Sequence, residues 1–272
     1  QKKKHPIIHT YIHSHYQSIM PELPAVERSR CLLARVLEGR VLQKVSATED
    51  DIVFDNVSPT TFVKTFQHRR VKKVHRKGKH LIVEVEGAGP NLYFHQAMTG
   101  SFSAKFAPKQ KQQRQNRNQE PLQQIERHDY KDFKVDHTQW PPKFHKCLFI
   151  TDLQDELVYT NMRRFGRVKI IDGLFSTDVR LSKLGPDPYT DFLFTNKLVS
   201  TMQSRKGPIK GLLLDQSFLA GIGNWIADEV LYQAGVHPQT SGCKLTDGQA
   251  ENLVDCIRYN IYIYTGCCCC CC

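Results

Sequence analysis

The spacing of apolar residues divides the chain into one helix, a series of short strands and a later group of helices. Val26, Leu33 and Leu37 recur at helical intervals and Gly39 follows them, which predicts a helix of about four turns after Glu22. Short runs rich in β-branched and aromatic residues come next, and the Gly, Pro and Asp residues between them are typical of a β-sandwich or barrel. The runs are VLQKVSA from Val41, HLIVEVEG from His80, NLYFHQAMTG from Asn91, KCLFITD from Lys146, ELVYTN from Glu156 and RVKIID from Arg167.

The pattern becomes helical after the proline-rich turn LGPDPYTD, which begins at Leu184. Helical periodicity covers four segments: 191–204, 208–215, 224–234 and one that begins after Thr246. Strands followed by helices indicate an α+β protein, here an N-terminal helix and β-sandwich that precede an all-helical domain. The change of pattern places the boundary between the two near residues 178–187.

Three stretches have a composition that does not support a packed core. Residues 103–139 include KQKQQRQNRNQEPLQQ, which has almost no apolar residue, so we predict a disordered loop inserted among the strands. Residues 1–19 contain four histidines without a carboxylate to complete a metal site, and we expect a disordered or artefactual extension. Residues 265–272 end in six consecutive cysteines, which cannot readily converge on one metal ion, so we expect a low-complexity tail. The predicted domains are therefore 20–178 and 179–264.

The charge of the chain narrows the choice of partner. The 272 residues include 38 Lys and Arg against 27 Asp and Glu, a formal net charge of +11. This balance favours an extended polyanion as partner, while the alternative is a basic surface that serves only solubility. No apolar run approaches the roughly 20 residues that span a bilayer, and the N-terminus lacks the apolar core of a secretory signal. Because the four cysteines outside the tail are scattered singly, we expect reduced thiols and a soluble intracellular protein.

The motif AGIGNWIADEV combines turn glycines with the start of a helix. Gly221 and Gly223 permit tight turns, and Asn224 can cap the helix that follows. A helix N-terminus offers unpaired N–H groups to a phosphate, and the preceding SRKGPIKGLLLDQ adds Lys206 and Lys210. We interpret this arrangement as a clamp of two helices on phosphate groups, with a plain helix cap as the alternative.

The motif NMRRFGRV places several cations around one aromatic residue. Arg163, Arg164 and Arg167 flank Phe165 in a region rich in strands. Such a group suits a wedge that fills the gap in a DNA helix after a base has been flipped out. The alternative is a core phenylalanine between solvated arginines, and the same two interpretations apply to Met98 in HQAMTG.

Taken together, the motifs resemble one family, the formamidopyrimidine-DNA glycosylases and endonuclease-eight-like DNA glycosylases. The likeness rests on MPELPAVE at Met20, RKGKHLIVE at Arg76, HQAMTG at His95, NMRRFGRV at Asn161 and PIKGLLLDQSFLAGIGNWIADEVLYQAGVHP at Pro208. It spans residues 20 to about 258, in the family's order, and is most similar to plant and fungal members. The resemblance implies that 20–178 is a catalytic β-sandwich domain and 179–264 a helix-two-turn-helix domain.

The resemblance also implies a catalytic role for three residues. In the family the initiator methionine is removed, and the secondary amine of the exposed proline attacks the sugar carbon that bears the damaged base. Pro21 matches this nucleophile, and its free amine would have a pKa of about 8, so part of it is unprotonated at neutral pH. Glu22 matches the acid that protonates the sugar or the leaving base, and Lys79 matches a lysine that holds phosphate beside the lesion.

Further matches concern contacts with DNA. Met98, Arg163 and Phe165 correspond to the trio inserted into the gap left by the flipped nucleotide. Lys210 and Asn224 correspond to phosphate contacts of the helix-two-turn-helix domain, and Glu229 to an acidic residue near the site.

From the resemblance we expect a repair enzyme that removes oxidised purines, such as 8-oxoguanine and formamidopyrimidine, with strand cleavage through a proline Schiff base. It would act as a monomer on damaged double-stranded DNA, without a cofactor or metal ion. We expect a nuclear location, with an organelle as the alternative. Two other hypotheses are a noncatalytic protein that binds damaged DNA and an inactive fragment.

Four features depart from the family pattern. Ala25 stands where the family has a second glutamate, and Ala97 stands where a glycine precedes the wedge methionine. The loop at 103–139 is longer than in bacterial members, and we expect the family's C-terminal finger to be absent. We also expect Met20 to be the true start, because an attached leader would make the nitrogen of Pro21 an amide without a free lone pair.

Overall fold

The computed structural model describes residues 21–55, 57–107, 139–191 and 195–266. The predicted extension at 1–19, most of the predicted loop at 103–139 and the six terminal cysteines lie outside these residues. The described residues form a mixed α+β fold with two antiparallel sheets and several helices, which confirms the α+β class of the prediction.

The first element is helix α1, Leu23–Leu37, and it matches the helix predicted from the apolar spacing. Val26, Leu33 and Leu37 are buried along one face of the helix. Gly39 ends the helical segment in the left-handed region, with φ 73°, which a residue without Cβ adopts at little cost.

Within the described ranges eight strands follow: β1 Leu42–Ala47, β2 Val71–Lys77, β3 His80–Val85, β4 Asn91–His95, β5 Gly100–Lys105, β6 His145–Thr151, β7 Glu156–Asn161 and β8 Arg167–Ile171. They form two four-stranded sheets, with strand orders β1-β6-β7-β5 and β2-β3-β4-β8. In the second sheet Leu81 faces Phe94, and in the first Gly100 faces Asn161.

Aromatic side chains from both sheets pack together. The ring of Phe94 in β4 contacts Phe102 of β5, Tyr159 of β7 and Phe149 of β6, at centroid distances of 5.1, 5.2 and 6.4 Å. All four residues are buried, so burial of apolar area stabilises this interior.

Three elements were not predicted from the sequence. Strand β2 lies within HRRVKKVHRKGKHL, where the run of cations hides the buried Val71 and Val74. Strand β5 contains small residues and begins at a glycine, which weakens a strand pattern. Helix α2, Pro59–Phe66, has only eight residues, and the side chain of Ser58 accepts the N–H of Thr61 as its cap.

The later helices lie within or close to the segments predicted for them. They are α3 Thr195–Gln203, α4 Ile209–Leu214, α5 Asn224–Ala234 and α6 Asp247–Thr265, with 3₁₀ turns at Leu181–Lys183 and Gly242–Lys244. Leu213, Ile226 and Leu253 are buried in the shared apolar core of these helices. Thr246 and Gln249 form a reciprocal capping box at the start of α6. None of the helices in the described ranges is long and apolar enough to cross a membrane.

The described residues divide into two compact units. One contains Pro21, Ser29–His75 and His80–Leu174. The other contains Glu22–Arg28, Arg76–Lys79 and the chain from Phe175 onwards. The second unit therefore takes two short segments from the N-terminal part of the sequence, which bring Glu22 and Lys79 into the same unit as α5.

Candidate functional site

The carboxylate of Glu22 lies at the N-terminal end of α5. It accepts the backbone N–H groups of Gly223, Trp225 and Ile226, at 2.9, 3.1 and 3.3 Å. Helix N-termini carry unpaired N–H groups and a partial positive charge, so an anionic side chain is favourable there. Glu22 is 1% exposed, and these bonds compensate part of the cost of its burial.

This arrangement corrects the predicted cap of α5. Gly223 is the N-cap residue and Asn224 is the first helical residue, with an exposed side chain. The cap is supplied instead by Glu22, which is 201 residues away in sequence from Gly223. Since Glu22 occupies three N–H groups, these groups are not presented to a phosphate as the sequence suggested. The assignment of Asn224 to DNA contact stays a prediction.

Lys79 lies beside Glu22, against the backbone of Gly223. A Cβ atom built on Gly223 would be 2.2 Å from Oε1 of Glu22 and 2.5 Å from Nζ of Lys79. Real Cβ atoms do not approach other atoms this closely, so a side chain at this position would displace Glu22, Lys79 or both. Gly223 therefore leaves room for the carboxylate of Glu22 and the ammonium group of Lys79 because it has no side chain.

The environment shifts the pKa values of both groups. Burial raises the pKa of Glu22, and the charge of Lys79 and the three N–H groups only partly oppose this rise. Burial lowers the pKa of Lys79, and the charge of Glu22 opposes this effect only in part. Both values are therefore moved towards neutral pH, which is the range in which acids and bases transfer protons efficiently.

Pro21 precedes this pair in the sequence and is buried. In the given chain its nitrogen is bonded to the carbonyl carbon of Met20, so it is a tertiary amide rather than an amine. The assignment of Pro21 as a nucleophile stays a prediction, and it requires release of this peptide bond.

A buried ionic cluster next to Lys79 was missed in the sequence. Arg76, whose side chain is fully buried, donates to Glu27 at 2.6 Å and to both carboxylate oxygens of Asp187. The sequence did not distinguish Arg76 from the lysines around it, because a run of cations does not indicate which of them is buried. A signal was present in LGPDPY, where a single carboxylate stands between two prolines.

The predicted wedge residues lie in two turns of the other unit. Phe165, in the turn between β7 and β8, is 49% exposed, so the alternative of a core phenylalanine is wrong. The guanidinium carbon of Arg163 lies 5.1 Å from the centre of the Phe165 ring. The N–H of Arg163 donates to Oγ1 of Thr99 at 3.2 Å, which joins this turn to the one that carries the half-buried Met98.

Arg164 fixes the shape of the turn between β7 and β8. It has a left-handed backbone, with φ 58°, and its guanidinium bonds to Asp50 at 2.9 and 3.1 Å. Lys146 donates to the same carboxylate at 2.7 Å. Burial alone would raise the pKa of Asp50, but the hydrogen bonds from Arg164 and Lys146 outweigh it and lower the pKa to about 2.

Ala97, one of the departures from the family pattern, also adopts a left-handed backbone. Its φ is 50°, a conformation that costs an L-residue with a Cβ atom roughly 1–2 kcal/mol. The turn before Met98 is therefore kept in a glycine-like conformation even though the glycine is absent.

The remaining predicted residues lie on the helices. Nζ of Lys210 forms an ion pair with Asp228 of α5 at 2.7 Å, so α4 and α5 are joined where the phosphate clamp was predicted. Glu229 is half-buried and accepts Nε2 of Gln233 at 2.6 Å. Gln233 also bonds to the buried Asn260 of α6, which ties Glu229 to the packing of α5 and α6. In the described ranges no group of three or more His, Cys, Asp or Glu residues could hold a metal ion.

Two family models match the chain. The model of the formamidopyrimidine-DNA glycosylase N-terminal domain matches residues 20–168, and the model of the formamidopyrimidine-DNA glycosylase H2TH domain matches residues 184–261. The first match contains Pro21, Glu22 and Lys79, and the second contains α5.

Curated relatives agree with these matches. A formamidopyrimidine-DNA glycosylase of Arabidopsis thaliana is 33% identical over 242 residues, and the match covers 88% of this chain and 56% of the relative. The chain therefore spans little more than half the length of this relative. A formamidopyrimidine-DNA glycosylase of Heliobacterium modesticaldum is 33% identical over 245 residues, with 88% of this chain and 76% of the relative covered.

A solved structure has the same fold. It is a complex between the wild-type Lactococcus lactis protein Fpg and DNA that contains N7-benzyl-Fapy-dG. The TM-score is 0.66 at 25% sequence identity, and the match covers 89% of this chain and 77% of that one.

Proposed function

The chain belongs to the formamidopyrimidine-DNA glycosylase family, and from this premise we propose that it removes oxidised purines from double-stranded DNA. The observation that carries the proposal is the pairing of the buried Glu22 with the half-buried Lys79 at the N-terminal end of α5. A structural protein gains little from two adjacent ionisable groups whose pKa values are raised and lowered in opposite directions, whereas an active site uses such groups for proton transfer. The complex of the Lactococcus lactis protein with damaged DNA supports the choice of substrate.

In the proposed reaction the free amine of Pro21 is the nucleophile. Its nitrogen bonds to the sugar carbon while the bond from that carbon to the damaged base breaks. Glu22 donates a proton to the sugar ring oxygen or to the departing base, and its raised pKa keeps a larger fraction protonated than an exposed glutamate would have. The proline nitrogen then loses its proton, and the bond from the same sugar carbon to the ring oxygen breaks as that oxygen is protonated, which gives an iminium Schiff base. The Schiff base acidifies the neighbouring sugar proton, and loss of this proton with expulsion of the 3′ phosphate breaks the DNA strand.

Lys79 has a separate role in this proposal. Its ammonium group would hold a phosphate beside the lesion. The same positive charge opposes the rise in the pKa of Glu22 that burial causes. The acid, Glu22, and the phosphate contact, Lys79, would therefore lie side by side. A phosphate bound to Lys79 would hold the sugar in place relative to Glu22.

Contacts with the rest of the DNA are assigned to two surfaces. We assign Met98, Arg163 and Phe165 to the gap left by the flipped nucleotide, because the aromatic ring is half exposed and carries a guanidinium beside it. Lys210 and Asn224 would contact phosphates, with Glu229 as a supporting acid. We also infer that the two sheets form a β-sandwich, because Phe94 contacts rings of the other sheet.

Borohydride trapping tests the proposal. Two chains are compared, one starting at Gln1 and one starting at Pro21, on duplexes that contain 8-oxoguanine, a ring-opened purine or no lesion. We expect a reduced covalent adduct only from the Pro21 chain and only on damaged duplexes, because an amide nitrogen cannot form a Schiff base. A third chain with one glycine placed before Pro21 is the matched control and should form no adduct. Absence of an adduct from the Pro21 chain would refute the enzymatic proposal.

A noncatalytic protein that binds damaged DNA is the second candidate function. It is favoured by the exposure of Arg163 and Phe165, which can contact a distorted duplex without a covalent step. In this case both chains would bind damaged duplexes more tightly than undamaged ones, and neither would release a base. Fluorescence anisotropy and base-release assays on the same duplexes separate the two functions.

A further inference from the structure

Arg76 organises the turn that carries Lys79. We propose that Arg76 is a positioning residue, which acts through Glu27 and Asp187 to hold the ammonium group of Lys79 beside Glu22. The term positioning residue rests on the proposed function of the Glu22 and Lys79 pair. Arg76 itself does not touch either group in the described contacts, so its effect on the chemistry is indirect.

In the turn after β2, both the N–H and the carbonyl oxygen of Gly78 are hydrogen-bonded. Nη1 of Arg76 donates to the carbonyl oxygen of Gly78 at 3.1 Å, and the N–H of Gly78 donates to Oδ2 of Asp187 at 2.6 Å. Arg76 and Asp187 are in turn paired with each other. The peptide groups immediately before and after Cα of Gly78 are therefore fixed, and Lys79 is the next residue.

The two carboxylates connect the turn to separate parts of the same unit. Glu27 lies on α1, five positions after Glu22, and accepts Nε of Arg76 at 2.6 Å. Asp187 accepts the N–H groups of Tyr189 and Thr190 at 3.0 and 3.3 Å, so it is anchored in the turn that begins at Leu184. The planar guanidinium thus bridges the start of α1, the turn of Gly78 and the LGPDPY segment.

Close packing completes the placement of the turn. Gly78 has φ 57°, and a Cβ atom built on it would lie 3.0 Å from Cβ of Ala220 and from the backbone nitrogen of Gly221. The turn therefore lies directly against the loop that leads into α5, where Gly223 separates Glu22 from Lys79. A shift of the turn would therefore move Lys79 relative to the carboxylate of Glu22.

Lysine cannot replace Arg76 in this role. The guanidinium has donors in a rigid fork that serve Glu27, Asp187 and the Gly78 carbonyl together, whereas an ammonium is a single point charge. Buried ionic networks specify geometry more reliably than they add stability, since much of their attraction is offset by desolvation. Loss of the network should therefore appear at Lys79 rather than only in the stability of the protein.

The experiment measures the pKa of Lys79 directly. Competitive acetylation with acetic anhydride, followed by mass spectrometry across a pH series, reports the fraction of each lysine that is unprotonated. The wild type is compared with Arg76→Lys and with Asp187→Asn, which keeps the shape of the side chain. We expect the pKa of Lys79 to rise towards its usual value in both variants, because the displaced amine regains water. In the chain that starts at Pro21, we expect excision to fall about tenfold or more.

The control is Arg69→Lys, which removes an arginine that bonds two carbonyl oxygens, those of Pro90 and Glu86, at 2.8 and 3.0 Å. We expect this variant to leave the pKa of Lys79 unchanged. An unchanged pKa of Lys79 in folded Arg76→Lys and Asp187→Asn, with only a lower melting temperature, would overturn the inference. The acetylation result does not require activity. If the wild type excises no base, the proposed function fails while the positioning of Lys79 is still decided.

Discussion

Glu22 has a chemical environment that its neighbours in sequence do not provide. MPELPAVE contributes the carboxylate, but the three N–H groups that bind it come from α5 and the cation beside it comes from the turn after β2. Its pKa is raised because burial outweighs these favourable partners. At the scale of one residue, the raised pKa of Glu22 arises from segments far apart in the chain.

The site also depends on Gly223, because a residue with a side chain there would collide with the charged groups. Gly223→Ala would place a Cβ atom 2.2 Å from Glu22 and 2.5 Å from Lys79, so one or both must move. We expect excision by the Pro21 chain to fall by about 100-fold, which is typical for a catalytic group misplaced by about 1 Å. Single-turnover kinetics on an 8-oxoguanine duplex measures the effect.

Gly248→Ala is the matched control, because a Cβ atom there meets nothing within 4 Å and the residue lies in the first turn of α6. We expect this variant to keep full activity and to gain up to about 1 kcal/mol in the free energy of unfolding. Equal activity of the two variants would contradict the geometry assigned to Glu22 and Lys79.

At the scale of an element, the turn between β7 and β8 depends on an ion pair with a distant residue. Asp50 holds Arg164 in a left-handed conformation, and the neighbouring Arg163 and Phe165 are thereby presented to solvent. A turn of this kind would otherwise carry a backbone cost of about 1 kcal/mol without compensation.

The carboxylate of Asp50 should make stability depend on pH. Its folded pKa of about 2 lies below the usual 3.8, so its contribution is complete above that usual value and is lost as pH falls towards 2. We expect Asp50→Asn to lower the free energy of unfolding by about 1 kcal/mol at neutral pH, after allowance for the half-exposed Arg164. The difference from wild type should shrink as the pH falls through this window.

Urea unfolding at several pH values measures this difference. Asp55→Asn is a suitable comparison, because Asp55 forms a partly exposed ion pair with Lys169 at 2.5 Å, and such pairs contribute a few tenths of a kcal/mol. If the Asp50→Asn difference stayed constant from neutral pH to pH values near 2, the ion pair would not be the source of the stability.

At the scale of the whole molecule, the number of phosphates that the protein neutralises sets how strongly DNA binding depends on salt. The formal charge is +11, and Lys210 is the cation assigned to a phosphate on the helical domain. We expect affinity for damaged duplex DNA to fall by more than about tenfold between 50 and 200 mM salt. Lys210→Ala should weaken binding and reduce the slope of log affinity against log salt by about one.

Fluorescence anisotropy across a salt series provides the slope. Lys105→Ala is the matched control, because Lys105 is an exposed lysine of β5 paired with Glu156 and is not assigned to DNA. We expect this variant to retain the wild-type slope. Equal slopes for Lys210→Ala and the wild type would remove Lys210 from the phosphate contacts.

Sequence reasoning predicted the elements that have a strong period or clear flanking residues. Helices α1, α5 and α6 were found because their apolar positions repeat over several turns and glycine or a capping threonine marks an end. Strand β2 was missed because a run of cations separates its only two buried apolar residues, Val71 and Val74. The cap of α5 was misassigned to Asn224, since a cap supplied by a residue 201 positions away has no local signal.

The sequence by itself determined the family to which the chain belongs, the residue types of the candidate site, and most of the strands and helices in their order. Motifs such as MPELPAVE and GIGN are local, so their chemistry can be recognised without coordinates. Only the tertiary structure decided that Glu22 caps α5, that Gly223 leaves room for Lys79, and that Arg76 is buried between Glu27 and Asp187. These facts depend on burial and on contacts between segments distant in sequence, and burial is what shifts a pKa or makes one arginine different from the next.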